Sequence, residues 1–124
     1  MDHEGRIVLL HFWATWCAPC LVEFPALIKL AQRTPNKLTI IAVSSDQNKK
    51  NIEKFLKRIK APTLDNLIIV HDSDNGITQD LYQTYKLPET YLISPSAKII
   101  QKYIGPQELW GNDSFVQELN HLQQ

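Results

Sequence analysis

Short apolar runs rich in β-branched residues alternate along this chain with stretches whose apolar residues recur at helical spacing. "RIVLLHFW" (6–13), "LTIIAVSS" (38–45) and "LIIVHD" (67–72) read as buried strands. Between and after them, 18–33, 48–60 and 76–85 carry the helical pattern, with Leu21, Phe24, Leu27, Ile28 and Ala31 marking the first. "TYLIS" and "KIIQKYI" (90–94 and 98–104) read as a hairpin turning at "PSA", and Asp113 opens a last helix. An order of β-α-β-α-β-α-β-β-α calls for an α/β architecture, a central mixed sheet covered by helices on both faces. At 124 residues there is material for one such core, and no repeat, low-complexity tract or linker divides it. A single domain over 1–124 is expected.

Thirteen basic and thirteen acidic residues cancel, so no net field draws the chain to nucleic acid or acidic lipid. The longest apolar run, 7–10, is too short to cross a bilayer. "MDHEGR" is charged and turn-like, unlike a signal peptide. The first strand begins within six residues, which points to a domain excised from a longer exported or membrane-anchored protein.

Both cysteines of the chain lie in "WATWCAPCLVEFP" (13–25). Two cysteines separated by two residues can be a staple, half of a zinc site or a redox couple. A closed zinc site needs about four Cys or His ligands at set spacings, and the four histidines here are scattered; no metal is expected. A ring this small constrains the unfolded chain weakly, which argues against a staple. The redox reading has positive support. Cys17 stands where a helix begins, so free backbone N–H groups and the helix dipole favour its thiolate. Cys20, one turn in, is expected to be more buried, and Pro19 suits a first helical turn. Pro25 is costly inside a helix, about 3 kcal/mol.

"FWATWCAPCLVEFPAL" and the later "LPETYLIS" together resemble the TlpA/ResA/DsbE (CcmG) branch of thioredoxin-fold proteins. The helix at 48–60 and the strand after it match that branch's central αβ insertion, and the likeness runs from Gly5 to the last helix. The resemblance implies a thioredoxin fold and a thiol:disulfide oxidoreductase with Cys17 as nucleophile and Cys20 as resolving thiol. It implies a cis peptide before Pro88, leaving the backbone of Leu87 beside the disulfide to pair with an extended substrate strand. It raises Glu23, ordinarily just a solvated helix residue, to a proton partner of Cys20, and puts Glu89 near the site. Trp16 would line the docking surface, Trp13 would pack inside, and Ala18 and Pro19 would tune the couple.

His11 departs from the family, where plain thioredoxins have a buried aspartate and the TlpA branch often asparagine. A buried, hydrogen-bonded histidine is the favoured account, and titration near the couple the alternative. His3, His71 and His121 read as incidental surface or loop residues.

The implied setting is extracytoplasmic, with a cytoplasmic one as the alternative. The implied partners are protein disulfides, among them the CxxCH disulfide of apocytochrome c, and a membrane electron donor of the DsbD or CcdA kind. The expected protein is a monomer, without metal or organic cofactor. Two rivals stay open: a reductase or oxidase of other exported proteins, and a thioredoxin-like binding domain with an idle disulfide.

Overall fold

Strand β1, Ile7–Trp13, forms the middle of the molecule because its seven residues are apolar apart from His11 and six of them are buried. The computed structural model describes residues 5–74, 76–81 and 86–122. Around β1 run helix α1 (Ala18–Arg33), β2 (Leu38–Ser44), α2 (Lys49–Arg58), β3 (Leu67–His71), β4 (Glu89–Ile93), β5 (Ile99–Ile104) and α3 (Asp113–Leu122). A π-type turn, Gly76–Leu81, precedes β4, and a 3₁₀ turn, Glu108–Gly111, precedes α3.

The five strands make one sheet in the order β3-β2-β1-β4-β5. β2 lies parallel to both β1 and β3, whereas β4 runs antiparallel to β1 and to β5. This is the expected mixed sheet flanked by helices, and α2 with β3 supplies the central αβ unit.

The two faces of the sheet are not covered alike. Alternate residues of a strand point to opposite faces, and Ile7, Leu9 and Trp13 join Leu27, Phe24, Ile52, Phe55, Phe115 and Leu119 in the cores under α1, α2 and α3. Leu10 and Phe12, on the other face, pack with Val43, Tyr91 and Ile77 of the π-type turn. Among the described residues α1, α2 and α3 therefore share one face, and the π-type turn covers the other through Ile77. The expected helix at 76–85 is the π-type turn Gly76–Leu81 as far as it is described; 82–85 lie outside the described residues.

Local signals explain most element ends. Asn48 caps α2, its Oδ1 accepting from the N–H of Lys50 at 2.9 Å, so the helix starts one residue after the expected limit. Gly105, at φ +81°, turns the chain out of β5, and its N–H donates to the Pro88 carbonyl at 2.9 Å. That bond ties the end of the hairpin to the segment facing the cysteines.

Candidate functional site

The N-terminus of α1 brings the site together. Cys17 is the N-cap, in extended conformation, and its Sγ accepts from the N–H of Cys20 at 3.3 Å. Pro19 stands in the first helical turn, where it has no intrahelical donor to lose. Cys17 and Cys20 are joined as a disulfide, with Cα atoms 5.3 Å apart. Cys17 keeps 7% exposure and Cys20 none. An N–H aimed at Cys17 Sγ is the arrangement that stabilises a thiolate there once the bond is opened.

The Leu87–Pro88 peptide bond is cis, and the Leu87 carbonyl oxygen lies 3.7 Å from Cys17 Sγ. A segment 70 residues away in sequence thus presents backbone beside the disulfide. Trp16, 69% exposed, stands on the surface next to Cys17, while Trp13 is fully buried against Phe24 and Phe55, ring centroids 4.5 and 5.7 Å away.

The turn that delivers Cys17 is clamped from β2. Asp46, almost fully buried, accepts from the N–H of Thr15 (3.0 Å), the hydroxyl of Thr15 (2.5 Å) and the hydroxyl of Ser44 (2.6 Å). His71 Nε2 lies 2.5 Å from the Asp46 carbonyl oxygen. His71 is therefore part of this support, not an incidental loop residue. Asp46 is barely marked in the sequence. Its only signal there was an acidic residue directly after a buried strand.

Glu23 is buried, not solvated, and its oxygens are committed. Oε2 accepts from the backbone N–H of Gln107 at 2.7 Å and from Trp110 Nε1–H at 2.8 Å. Oε1 faces His11 Nε2 at 3.3 Å, outside hydrogen-bond geometry. On its other side, His11 Nδ1 lies 2.8 Å from the Thr90 hydroxyl, its register partner on β4. Burial lowers the His11 pKa from 6.5 to about 3, so the ring is neutral at physiological pH. Burial raises the Glu23 pKa, against the two N–H donors that pull it down. Glu23 also borders a groove of about 770 Å³ lined by Ala18, Pro19, Val22, Pro106 and Gln107. Glu89 lies on the opposite face of the sheet, its Oε1 2.6 Å from Lys102 Nζ. Of the remaining histidines, His121 is exposed and His3 lies outside the described residues.

A five-stranded mixed sheet, a Cys-Ala-Pro-Cys disulfide opening a helix and a cis-proline beside it define a thioredoxin-fold protein with a disulfide centre. The chain belongs to the thioredoxin-like family, whose model matches residues 5–99. It is 35% identical over 107 residues to the thioredoxin-like protein YneN of Bacillus subtilis, covering 84% of this chain and 59% of that protein. It is 36% identical over 99 residues to the thiol-disulfide oxidoreductase ResA of Oceanobacillus iheyensis, covering 79% of this chain and 49% of ResA. The chain thus spans about half to three-fifths of the length of these curated relatives. Among solved structures, a Chlorobium tepidum protein assigned as the thiol:disulfide interchange protein DsbE superposes with a TM-score of 0.79 at 25% identity, over 99% of this chain and 84% of that one. StoA of Bacillus subtilis gives 0.74 at 26%, over 94% and 84%.

Proposed function

We propose that this chain is a thiol:disulfide oxidoreductase domain that reduces protein disulfides in the cell envelope. The observation that carries the reading is the Cys17–Cys20 disulfide at a helix N-terminus, 3.7 Å from the backbone of a cis-proline segment. Relatives named as thiol-disulfide oxidoreductases support it.

In the reducing direction the Cys17 thiolate attacks one sulfur of a substrate disulfide. The substrate S–S bond breaks, a Cys17–substrate bond forms, and the departing sulfur leaves with the electron pair and takes a proton. Cys20 then loses its proton and attacks Cys17 Sγ. The intramolecular disulfide forms, and the second substrate sulfur leaves as a thiolate. The substrate gains two electrons and the domain loses them, so the couple itself is the redox group and no metal or organic cofactor is needed. Leu87 offers backbone pairing to the substrate strand, Trp16, Ala18 and Pro19 line its approach, and Glu23 exchanges the proton of Cys20. Glu89 braces the strand start after Pro88 through Lys102.

For substrate and donor, the resemblance to the TlpA/ResA/DsbE branch supports the CxxCH disulfide of apocytochrome c and a membrane reductase of the DsbD or CcdA kind. Insulin reduction in dithiothreitol tests the activity: the wild type should accelerate precipitation at least about tenfold over a Cys17→Ser variant. A wild type that is inactive while its pair is accessible and reducible overturns the reading. Cys20→Ser should trap a mixed disulfide with an oxidised CxxCH peptide, and no adduct would remove that substrate.

A further inference from the structure

Two buried polar atoms in the core have no hydrogen-bond partner and face each other: His11 Nε2 and Glu23 Oε1, 3.3 Å apart on side chains 0% and 2% exposed. Leaving either group unsatisfied in a sealed place costs about 1–3 kcal/mol. A proton on Nε2, with a small rotation of either side chain, would satisfy both. The other end of the ring makes that proton available. Thr90 Oγ1 lies 2.8 Å from Nδ1, and a hydroxyl donating there fixes the neutral tautomer that carries its hydrogen on Nε2.

We propose that His11 is a positioning residue for Glu23: held as the Nε2–H tautomer by Thr90, it is the third N–H donor that keeps the buried carboxyl ionised and able to accept the Cys20 proton. The proposal rests on the reading of Cys17–Cys20 as a redox couple and adds a residue to it. The geometry is convergent. Gln107 N–H and Trp110 Nε1–H donate to Oε2 from the 3₁₀ turn side, and His11 Nε2 faces Oε1 from β1 at 3.3 Å. A carboxylate accepting two to three N–H bonds can have its proton affinity lowered well below the ordinary value. Here those donors work against burial, which pushes the affinity up.

The donor is also charge-neutral. A ring whose pKa is held near 3 brings no proton of its own into the exchange at neutral pH. The proton then moves simply. As Cys20 attacks Cys17 Sγ in the mixed disulfide, its S–H bond breaks, the S–S bond forms, the substrate sulfur leaves with the electron pair, and Glu23 receives the proton. Glu23 passes it to solvent through the groove it borders between α1 and Pro106–Gln107.

Few other ionisable groups bear on the carboxyl. Cys20 shares its helix face. Glu108 lines the same groove. Tyr103 of β5 packs edge-to-face with Trp110, ring centroids 5.3 Å apart. Glu89, on β4 beside Thr90, is engaged by Lys102 on the other face. From α2, α3 and β2 none of the described contacts reaches Glu23.

The test reads protons first and turnover second. Carbon-13 titration of the Glu23 carboxyl and nitrogen-15 spectra of His11 are recorded on the folded wild type, His11→Asn, His11→Leu and Thr90→Val. Wild-type His11 should show a protonated Nε2 and bare Nδ1. The Glu23 midpoint should move up by at least about one pH unit in His11→Leu and by less in Thr90→Val. The acid limb of the disulfide-exchange rate should move with it, and in a Glu23→Gln background His11→Leu should add nothing. The reverse tautomer, an unmoved Glu23 midpoint in a folded variant, or an equal rate loss in the Glu23→Gln background each overturns the proposal. If both histidine variants fail to fold, Thr90→Val decides alone: an unmoved midpoint there overturns it. Failure of the oxidoreductase reading shows separately, as a wild type without exchange activity whose Glu23 midpoint still follows His11.

Discussion

A histidine in the central strand of a sheet is an expensive residue, and His11 makes acid stability its signature. Its folded pKa of about 3 lies below the ordinary 6.5, so the unfolded chain binds the proton more tightly. Stability is then lost as pH falls from about 6.5 towards 3, by an upper bound of roughly 5 kcal/mol. Glu23 runs the other way. Its folded pKa is raised above 4.5, so its contribution is present below that value and is lost as pH rises through the folded one. Urea midpoints measured from pH 7 to pH 3 should therefore fall steeply for the wild type and less steeply for His11→Asn. The sequence made His11 legible as a buried, hydrogen-bonded histidine, because it interrupts an otherwise apolar strand. It could not show the partners, since Thr90 and Glu23 lie 79 and 12 positions away and meet it only through sheet register and helix docking. Asp46 was illegible for the same reason. Its carboxylate satisfies Thr15 and Ser44, so Asp46→Ala strands three donors; it should cost about 2–4 kcal/mol by urea unfolding and slow exchange at Cys17.

At the scale of elements, the five strands and the starts of α1, α2 and α3 were readable to within a residue or two, because burial imposes the apolar runs and the 3.6 period, whereas the helix expected at 76–85 is a π-type turn over its described part. β4 starts at Glu89, one residue before the expected limit, since pairing with Phe12 and Ile104 carries the ladder to the residue after the cis bond. The 3₁₀ turn Glu108–Gly111 had no such signal. "PQELWGND" is polar with one tryptophan, a composition that reads as loop. In the fold that tryptophan is fully buried, packed edge-to-face with Tyr103 and Phe115, ring centroids 5.3 Å from each, and its N–H fixes Glu23. The turn is thus the third wall of the site, docked on α1 by two hydrogen bonds to one carboxylate. Trp110→Phe keeps an aromatic ring there and deletes one donor. It should destabilise the fold by about 1.5–3 kcal/mol, the range for hydrogen bonds to charged groups, and raise the Glu23 titration midpoint in the carbon-13 experiment. Unchanged stability with an unchanged midpoint would mean that Trp110 does not hold the carboxylate.

For the whole molecule, direction of electron flow is a statement about stability. A couple that reduces others must favour its own disulfide, so the folded oxidised form has to be more stable than the folded reduced form. In an oxidant the order reverses, because there the thiolate is stabilised most. Thioredoxin-like folds span about −270 to −120 mV, and 30 mV corresponds to about 1.4 kcal/mol for two electrons, so the two extremes differ by roughly 7 kcal/mol. Two features of this molecule bear on the balance. The Cys20 N–H at Cys17 Sγ favours the thiolate, while a buried Cys20, three residues before a buried carboxyl on the same helix, makes a second negative charge costly. Reductase activity requires the second to prevail. Urea denaturation of the oxidised and dithiothreitol-reduced protein at pH 7 should accordingly give the higher midpoint for the oxidised form, and glutathione equilibration of Cys17–Cys20 should place the couple nearer −270 than −120 mV. If the reduced form is the more stable, the electrons run the other way: the domain is an oxidant, and the substrate to seek is a reduced dithiol awaiting its disulfide.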